Sequence, residues 1–199
     1  MLLSLSRKFI FVANLKSASS TIESSIGNKV EVRISQTRLG KHDSLSLISQ
    51  KFSWVRRYVP YEEFFVFGVM RDPVDFVLSL YNSHQKDNFD GKSHSTKGVA
   101  FDRFLKEWCA RSWQAKPQSL RFADEHGRFR LSHLIDLADL ETEFPKICAR
   151  LGLEGAALGR VNPSPVVLTR AELRPDQVEL IQTRYREDYE FLRNRPVAV

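Results

Sequence analysis

The sequence predicts an α/β fold of three layers, α/β/α, with a central and mainly parallel sheet between two layers of helices. Two short apolar runs, at 9–13 and 64–70, contain the aromatic and β-branched residues typical of strands buried on both faces. A polar turn follows each run and leads into a segment with apolar residues at helical spacing. Because strands alternate with helices over a length of 199 residues, we expect a single domain covering residues 1–199.

The first of these strand-to-helix connections contains the turn Lys16-Ser-Ala-Ser-Ser-Thr21. Ile22 and Ile26 follow it on one face of the predicted helix. At such a turn the free backbone N–H groups point toward one place, and the positive end of the helix dipole lies behind them. Lys16 adds a full positive charge, so the sequence predicts an anion site here.

The second connection follows the strand at 64–70 and begins Arg71-Asp-Pro. Asp72 is a favourable N-cap and Pro73 suits the first helical position, so a helix is expected to begin there. Ser79 lies eight residues beyond Arg71, about two turns into that helix. Ligands of α/β sheets bind at the carboxyl ends of strands, so we expect both connections to face the same ligand.

The rest of the chain gives weaker signals. A polar segment at 85–98 is long enough to be a lid, an acceptor-binding segment or a disordered loop. We further expect an exposed strand at 30–34, a possible strand at 129–134, a short helix capped by Ser44, and helices at 101–113, 142–151 and 175–192.

The composition favours an anionic partner without naming it. The formal net charge is +6, but the basic residues are scattered, so we expect no nucleic-acid partner. Cys109 and Cys148 have neither a disulfide framework nor zinc-ligand spacing, and we expect both to be buried. The longest apolar run is far shorter than a membrane span and the first residues do not read as a signal peptide, so a cytoplasmic protein without a transmembrane segment is expected.

Nucleoside triphosphates are the first candidate anions, and the first turn argues against them. A Walker loop places its lysine at the end of a glycine-containing turn, whereas here Lys16 comes at the start and residues 15–21 contain no glycine. The only contender for a magnesium-binding aspartate is Asp72, whose predicted capping role explains it more simply. A P-loop-like kinase is therefore the less favoured alternative.

The two connections together resemble the signatures of sulfotransferases that use 3′-phosphoadenosine-5′-phosphosulfate (PAPS), in particular the carbohydrate-type branch. That family has a buried strand before Lys-(Thr/Ser)-(Ala/Gly)-(Gly/Ser)-(Thr/Ser)-(Ser/Thr), and a second strand before Arg-(Asp/Asn)-Pro with a serine eight positions after the arginine. Weaker likenesses are Lys41-His42, Asn162-Pro-Ser164 and Asp188-Tyr189. The chain departs from the family at Asn14-Leu15, where a proline is usual, and at Ser19, where many members have glycine.

The resemblance implies a P-loop-NTPase-like sulfotransferase fold and transfer of a sulfuryl group from PAPS to an acceptor hydroxyl, on a carbohydrate or glycoconjugate. The product nucleotide would be adenosine 3′,5′-bisphosphate, and no metal is required. The implied cofactor-binding residues are Lys16, Ser17, Ala18, Ser19, Ser20 and Thr21 for the 5′-phosphosulfate, Arg71 and Ser79 for the 3′-phosphate, and Asn162 and Ser164 closing over the nucleotide.

Two catalytic residues are expected. Lys16 would neutralise charge on the leaving phosphate oxygen, and His42 would act as base, because an unperturbed histidine pKa of ~6.5 is near working pH. His84 is an alternative base, and Glu23 is a weaker one because bound phosphosulfate would repel it.

Each of these residues also has an ordinary structural interpretation. Lys16 would then be a surface lysine, the serines would cap a helix, Arg71 would pair with a carboxylate and Ser79 would bond to the helix backbone. A non-catalytic nucleotide-binding module of the same fold remains the alternative function.

Overall fold

The chain, described here for residues 1–37, 39–57, 59–159 and 165–198 of a computed structural model, is built around a five-stranded mixed sheet. The strand order is β3-β1-β2-β4-β5. The strands are β1 (Leu2–Ser4), β2 (Phe9–Val12), β3 (Val32–Arg33), β4 (Phe65–Met70) and β5 (His133–Asp136).

Helices connect and cover these strands. They are α1 (Ser19–Ile26), α2 (Leu45–Lys51), α3 (Pro73–Ser83), α4 (Phe101–Arg103), α5 (Cys109–Arg111), α6 (Leu140–Arg150), α7 (Pro175–Arg184) and α8 (Arg186–Arg193), with a π-helical turn (Phe104–Trp108) between α4 and α5. Short 3₁₀ turns lie at Ser53–Arg57, Tyr61–Glu63, Asp87–Phe89, Trp113–Ala115, Ser119–Phe122, Leu137–Asp139 and Arg170–Glu172.

The longer strands form the parallel part of the sheet. β2 pairs with β4, and β4 pairs with β5, both in parallel register, whereas β1 pairs antiparallel with both β2 and β3. Parallel strands end at the same edge of a sheet, so the turns after β2 and β4 lie next to each other.

Alternate residues of β2 face two different helical layers. Phe9 and Phe11 pack in one core cluster with Ile22 of α1 and Phe144 of α6. Ile10 and Val12 pack in a second cluster with residues of α2 and α8, such as Ile48 and Leu192. Full burial of each large apolar side chain contributes ~1.5–3 kcal/mol, which holds helices on both faces. The predicted α/β fold with a central, mostly parallel sheet is confirmed, and helices pack on both of its faces.

Several predicted elements have different bounds. The strand predicted at 129–134 begins only at His133, because the Asp124 carboxylate holds 124–130 as a loop through the backbone N–H of Arg128 and the side chain of Arg130. The exposed strand shortens to Val32–Arg33, and β1 was not predicted.

The helices predicted at 175–192 and 101–113 are also interrupted or shortened. The helix at 175–192 breaks at Tyr185, whose buried hydroxyl donates to the Ala115 carbonyl at 2.7 Å and thereby draws the chain inward. The helix at 101–113 ends at Arg111 and includes the π-helical turn. Cys109 and Cys148 are buried free thiols, as predicted. Within the described residues, no helix is long and apolar enough to cross a membrane.

Candidate functional site

A cleft of about 1270 Å³ opens at the carboxyl ends of β2 and β4. It is lined by both turns that follow these strands, together with one side of α3. The sequence-predicted site residues that line it are Lys16, Ser17, Ala18, Ser19, Ser20, Thr21, His42, Arg71 and Ser79. Asn162 and Ser164 lie outside the described residues, although the neighbouring Pro165 and Val166 line the same cleft.

The first turn has an unusual backbone. Lys16 and Ala18 have φ angles of 57° and 53°, in the left-handed region that disfavours residues other than glycine by ~1–2 kcal/mol. Successive N–H groups in such a turn form a concave anion-binding nest. The Ala18 N-cap of α1 provides no side-chain hydrogen bond, so the side chain of its own cap does not occupy the first N–H groups of this helix. Strain of this kind concentrates at functional sites.

The two departures from the family pattern have local explanations. Asn14 is 2% exposed, and its Oδ1 accepts from the Leu15 N–H at 2.9 Å, which turns the chain where a proline is usual. Its amide also donates to the Val69 carbonyl of β4. Ser19 is the first residue of α1 and is not among the residues of positive φ, so its conformation does not require glycine.

The hydroxyl groups of the turn are partly engaged by the protein. Ser17 Oγ donates to the Leu15 carbonyl at 2.9 Å, and Lys41 Nζ donates to Ser20 Oγ at 2.8 Å. Lys41 also pairs with the buried Glu23, which binds the Met1 amino group as well. Burial acts to raise the pKa of Glu23, but the hydrogen bonds from these two cations outweigh it and hold the pKa below its usual range. Glu23 is therefore fixed as a paired carboxylate.

Positive charge gathers in the cleft. Burial, followed by repulsion from Lys86 and then Arg71, lowers the pKa of Lys16 to about 8, and no carboxylate among the described residues opposes the shift. Burial also lowers the pKa of Arg71, although Asp75 and Asp72 act in the opposite direction. Cations held close together in a partly buried cleft favour a bound anion.

The aspartates beside Arg71 have other roles. Asp72 accepts from the N–H groups of Val74 and Asp75, and so caps α3 as predicted. The same carboxylate pairs with Arg170 at 3.0 Å. Among the described residues, Arg71 forms no salt bridge, which leaves its guanidinium available to the cleft.

Asn82 fastens another wall of the cleft to α3. Its Oδ1 accepts from the N–H groups of Val167 and Leu168, and its Nδ2 donates to the Leu168 carbonyl at 2.8 Å. Asn82 lies one turn after Ser79 on the helix, and both line the cleft. The segment after residue 164 is therefore held beside the predicted 3′-phosphate residues.

Gln118 joins the two turns and had no signal in the sequence. Its Oε1 accepts from the Arg71 N–H at 3.1 Å and, more weakly, from Ser17 Oγ at 3.4 Å, and its Nε2 donates to the Arg71 carbonyl at 2.8 Å. The fully buried Asp188 accepts from the N–H groups of Gln118 and Ser119. Burial raises the pKa of Asp188 although these hydrogen bonds act to lower it. Of this pair, only Asp188 had drawn attention, through the family resemblance.

Two histidines face the cleft in the same manner. His42 Nδ1 lies 2.8 Å from the Ala13 carbonyl, and His84 Nδ1 lies 2.8 Å from the Leu80 carbonyl. A carbonyl accepts only from an N–H, so Nδ1 carries the proton in each ring and Nε2 is left as the acceptor. Burial lowers the pKa of His42 to about 4, against the effect of the Ala13 hydrogen bond, and burial also lowers the pKa of His84. Both imidazoles are neutral near pH ~7.

Comparisons of the chain with protein-family models, with curated proteins and with solved structures found no match. In the part of the chain that the structure describes, no three His, Cys, Asp or Glu side chains are grouped to hold a metal ion.

Proposed function

We propose that this chain is a sulfotransferase, which moves a sulfuryl group from PAPS to a hydroxyl group of a saccharide-type acceptor. The observation that supports this proposal most strongly is the common cleft of the two turns. The cofactor has two separated anionic ends, a 5′-phosphosulfate and a 3′-phosphate. The nest at 16–21 suits the first, and Arg71 with Ser79, along the side of α3, suits the second.

The residues present fit this group. The nest offers N–H groups that the side chain of its own N-cap leaves free, and in the part of the chain that the structure describes no carboxylate neutralises the charge of Lys16. The cleft, about 1270 Å³, exceeds the ~300–1,000 Å³ typical of small-ligand sites and has room for a nucleotide together with part of an acceptor.

Each side chain then has a distinct task. Bound PAPS supplies the sulfuryl group and a phosphate leaving group. The ammonium of Lys16 and the N–H groups of the nest stabilise negative charge, which is the main requirement of a loose, in-line transfer. Arg71 and Ser79 hold the nucleotide in register.

His42 is the proposed base. Its Nε2 is an acceptor at neutral pH, and the Ala13 carbonyl fixes the ring orientation. A pKa of about 4 makes His42 a weak base in the protein without ligand. The negative charge of a bound phosphosulfate favours the protonated imidazole and raises that pKa. His84 has the same tautomer in the same cleft and stays the alternative.

The contacts of Asp72 argue against the kinase alternative. This aspartate caps α3 and pairs with Arg170, so it is not a free metal ligand. The non-catalytic alternative has the same nucleotide site and differs only in turnover.

The experiment is transfer of labelled sulfate from PAPS to a panel of saccharides, combined with calorimetry of adenosine 3′,5′-bisphosphate. Wild type is expected to bind the nucleotide and label an acceptor, and Lys16→Ala is expected to lose labelling. Arg193→Ala removes one exposed charge on α8 and is the matched control. Nucleotide binding without labelling of any acceptor would favour the non-catalytic module, and absence of nucleotide binding would overturn the proposed cofactor.

A further inference from the structure

A second cavity of about 410 Å³ lies beside the cleft and is not used by the nucleotide-binding residues. One wall is the loop at 93–95, and the other is the helical segment that contains the π-helical turn Phe104–Trp108. π-Helical turns are rare and occur frequently at functional sites, because they shift side chains out of ordinary helical register. The volume falls in the ~300–1,000 Å³ range of small-ligand sites.

The cavity and the cleft share a wall of aromatic rings. His84 and Phe89 line the cleft, whereas His94 and Trp108 line the cavity. The His84 ring lies 5.7 Å from the His94 ring and 5.2 Å from the Trp108 ring, centroid to centroid, and Phe89 lies 5.1 Å from His94. A ligand in the cavity is therefore one ring away from the alternative base and from the cleft.

The loop that forms the cavity wall is fastened in place. Thr96 is buried and its hydroxyl donates to the Tyr81 carbonyl at 2.7 Å, while Trp108 Nε1 donates to the His94 carbonyl at 3.2 Å. Of the three possibilities for 85–98, these contacts argue against a disordered loop at residues 94–96. Because the indole N–H is already used, the side chain of Trp108 offers the cavity only carbon surface.

The polar groups of the cavity favour an anion on that ligand. Arg103 pairs with Glu107 at 3.1 Å, but Arg111 has no salt-bridge partner among the described residues and is exposed. Ser93, Ser95 and Ser112 place hydroxyl groups around the same space. An aromatic surface, several hydroxyls and one unpaired guanidinium together match a sugar ring that carries a carboxylate or sulfate.

We propose, on the basis of the sulfotransferase function above, that this cavity is the acceptor subsite and that it binds an anionic saccharide. The sugar packs on Trp108, its anionic group binds Arg111, and the neighbouring sugar residue reaches across the His84–Phe89 wall into the cleft.

The test measures binding of two probes to the whole chain by tryptophan fluorescence and calorimetry. They are a disaccharide of glucuronic acid and N-acetylglucosamine, and neutral cellobiose. Wild type is expected to bind the anionic probe more tightly than cellobiose. Arg111→Ala is expected to lower the affinity for the anionic probe about 10-fold and to change the affinity for cellobiose little. Trp108→Phe should weaken both probes. Lys106→Ala, an exposed charge on the same turn that does not line the cavity, should change neither.

Affinity for adenosine 3′,5′-bisphosphate is measured on the same variants and should stay unchanged. If wild type does not bind the anionic disaccharide, or if Arg111→Ala binds it as tightly as wild type, the subsite is wrong. If wild type does not bind the nucleotide but the disaccharide results are as expected, the proposed cofactor is wrong and the cavity is still a saccharide site. The two proposals thus fail in distinguishable ways.

Discussion

Gln118 hydrogen-bonds to both main-chain polar groups of Arg71: its Oε1 accepts from the N–H at 3.1 Å and its Nε2 donates to the carbonyl at 2.8 Å. The amide is 1% exposed and also accepts from Ser17 Oγ. One buried side chain therefore fixes the end of β4 relative to the turn after β2. The separation of the two proposed anion-binding groups depends on this link.

Replacement of Gln118 by alanine is expected to lower the free energy of unfolding by about 1–3 kcal/mol, because it leaves polar groups of Arg71 without partners. It should also weaken adenosine 3′,5′-bisphosphate binding, about 10-fold, through the loss of register. Urea denaturation and calorimetry measure the two effects. Gln50→Ala, whose exposed amide donates to Ser46, is the control. Unchanged affinity in Gln118→Ala would remove the link from the site.

Lys16→Met is expected to stabilise the free protein at pH ~7 by about 1 kcal/mol, after allowance for solvent screening. The pKa of Lys16 is lowered from 10.5 to about 8 in the fold, so the unfolded chain binds more protons between those values. The buried ammonium therefore destabilises the fold fully below the pKa of the folded state, and this destabilisation disappears as the pH rises to the pKa of the unfolded chain. The same substitution should abolish nucleotide binding. Lys106→Met, at an exposed position, should give no gain, and equal stabilities of Lys16→Met and wild type at neutral pH would contradict the prediction.

His42 makes wild type sensitive to acid. Burial lowers its pKa from 6.5 to about 4, so between these values the unfolded chain binds the extra proton and stability falls as pH decreases. Between pH ~7 and pH ~4.5, the free energy of unfolding of His42→Gln should fall by about 2 kcal/mol less than that of wild type, as measured by urea denaturation. Labelled-sulfate transfer should also fall by at least ~100-fold. Near-normal turnover would shift the role of base to His84.

Ala18 tests the nest itself, since its φ angle of 53° lies in the left-handed region. Ala18→Gly should be nearly neutral, because relief of strain offsets the greater freedom of the unfolded chain, each about 0.5–1 kcal/mol. Ala18→Val should lower stability by about 1–2 kcal/mol and weaken nucleotide binding. Ala110→Val, in helix α5, should cost only about 0.5 kcal/mol. If Ala18→Val proves as mild as Ala110→Val, the turn is not constrained.

Local patterns were sufficient for the central elements. The apolar runs predicted strands buried on both faces, which are β2 and β4, and Asp72-Pro73 predicted the start of α3. Because both turns follow parallel strands, the residues predicted on the two turns could be expected at one edge of the sheet, and Lys16, Arg71 and Ser79 line one cleft.

Other features depend on contacts between distant segments. Gln118 lies in a polar stretch without periodicity, and its position is set by Asp188, seventy residues later. The break at Tyr185 arises because its hydroxyl reaches Ala115, although local helical spacing continues through it. The three residues of β1 are too few to show a period, and their strand character comes from pairing with β2. Such features follow from tertiary structure and leave no local signal.

The most direct measurement is a thermodynamic cycle that combines removal of the 3′-phosphate from the nucleotide with removal of the Arg71 side chain from the protein. Calorimetry compares adenosine 3′,5′-bisphosphate with adenosine 5′-phosphate, in wild type and in Arg71→Ala. If Arg71 binds the 3′-phosphate, wild type should prefer the bisphosphate by about 10- to 100-fold, as expected for a charge-assisted contact, and Arg71→Ala should lose nearly all of that preference. An equal preference in both proteins, or none in wild type, would contradict the proposed site.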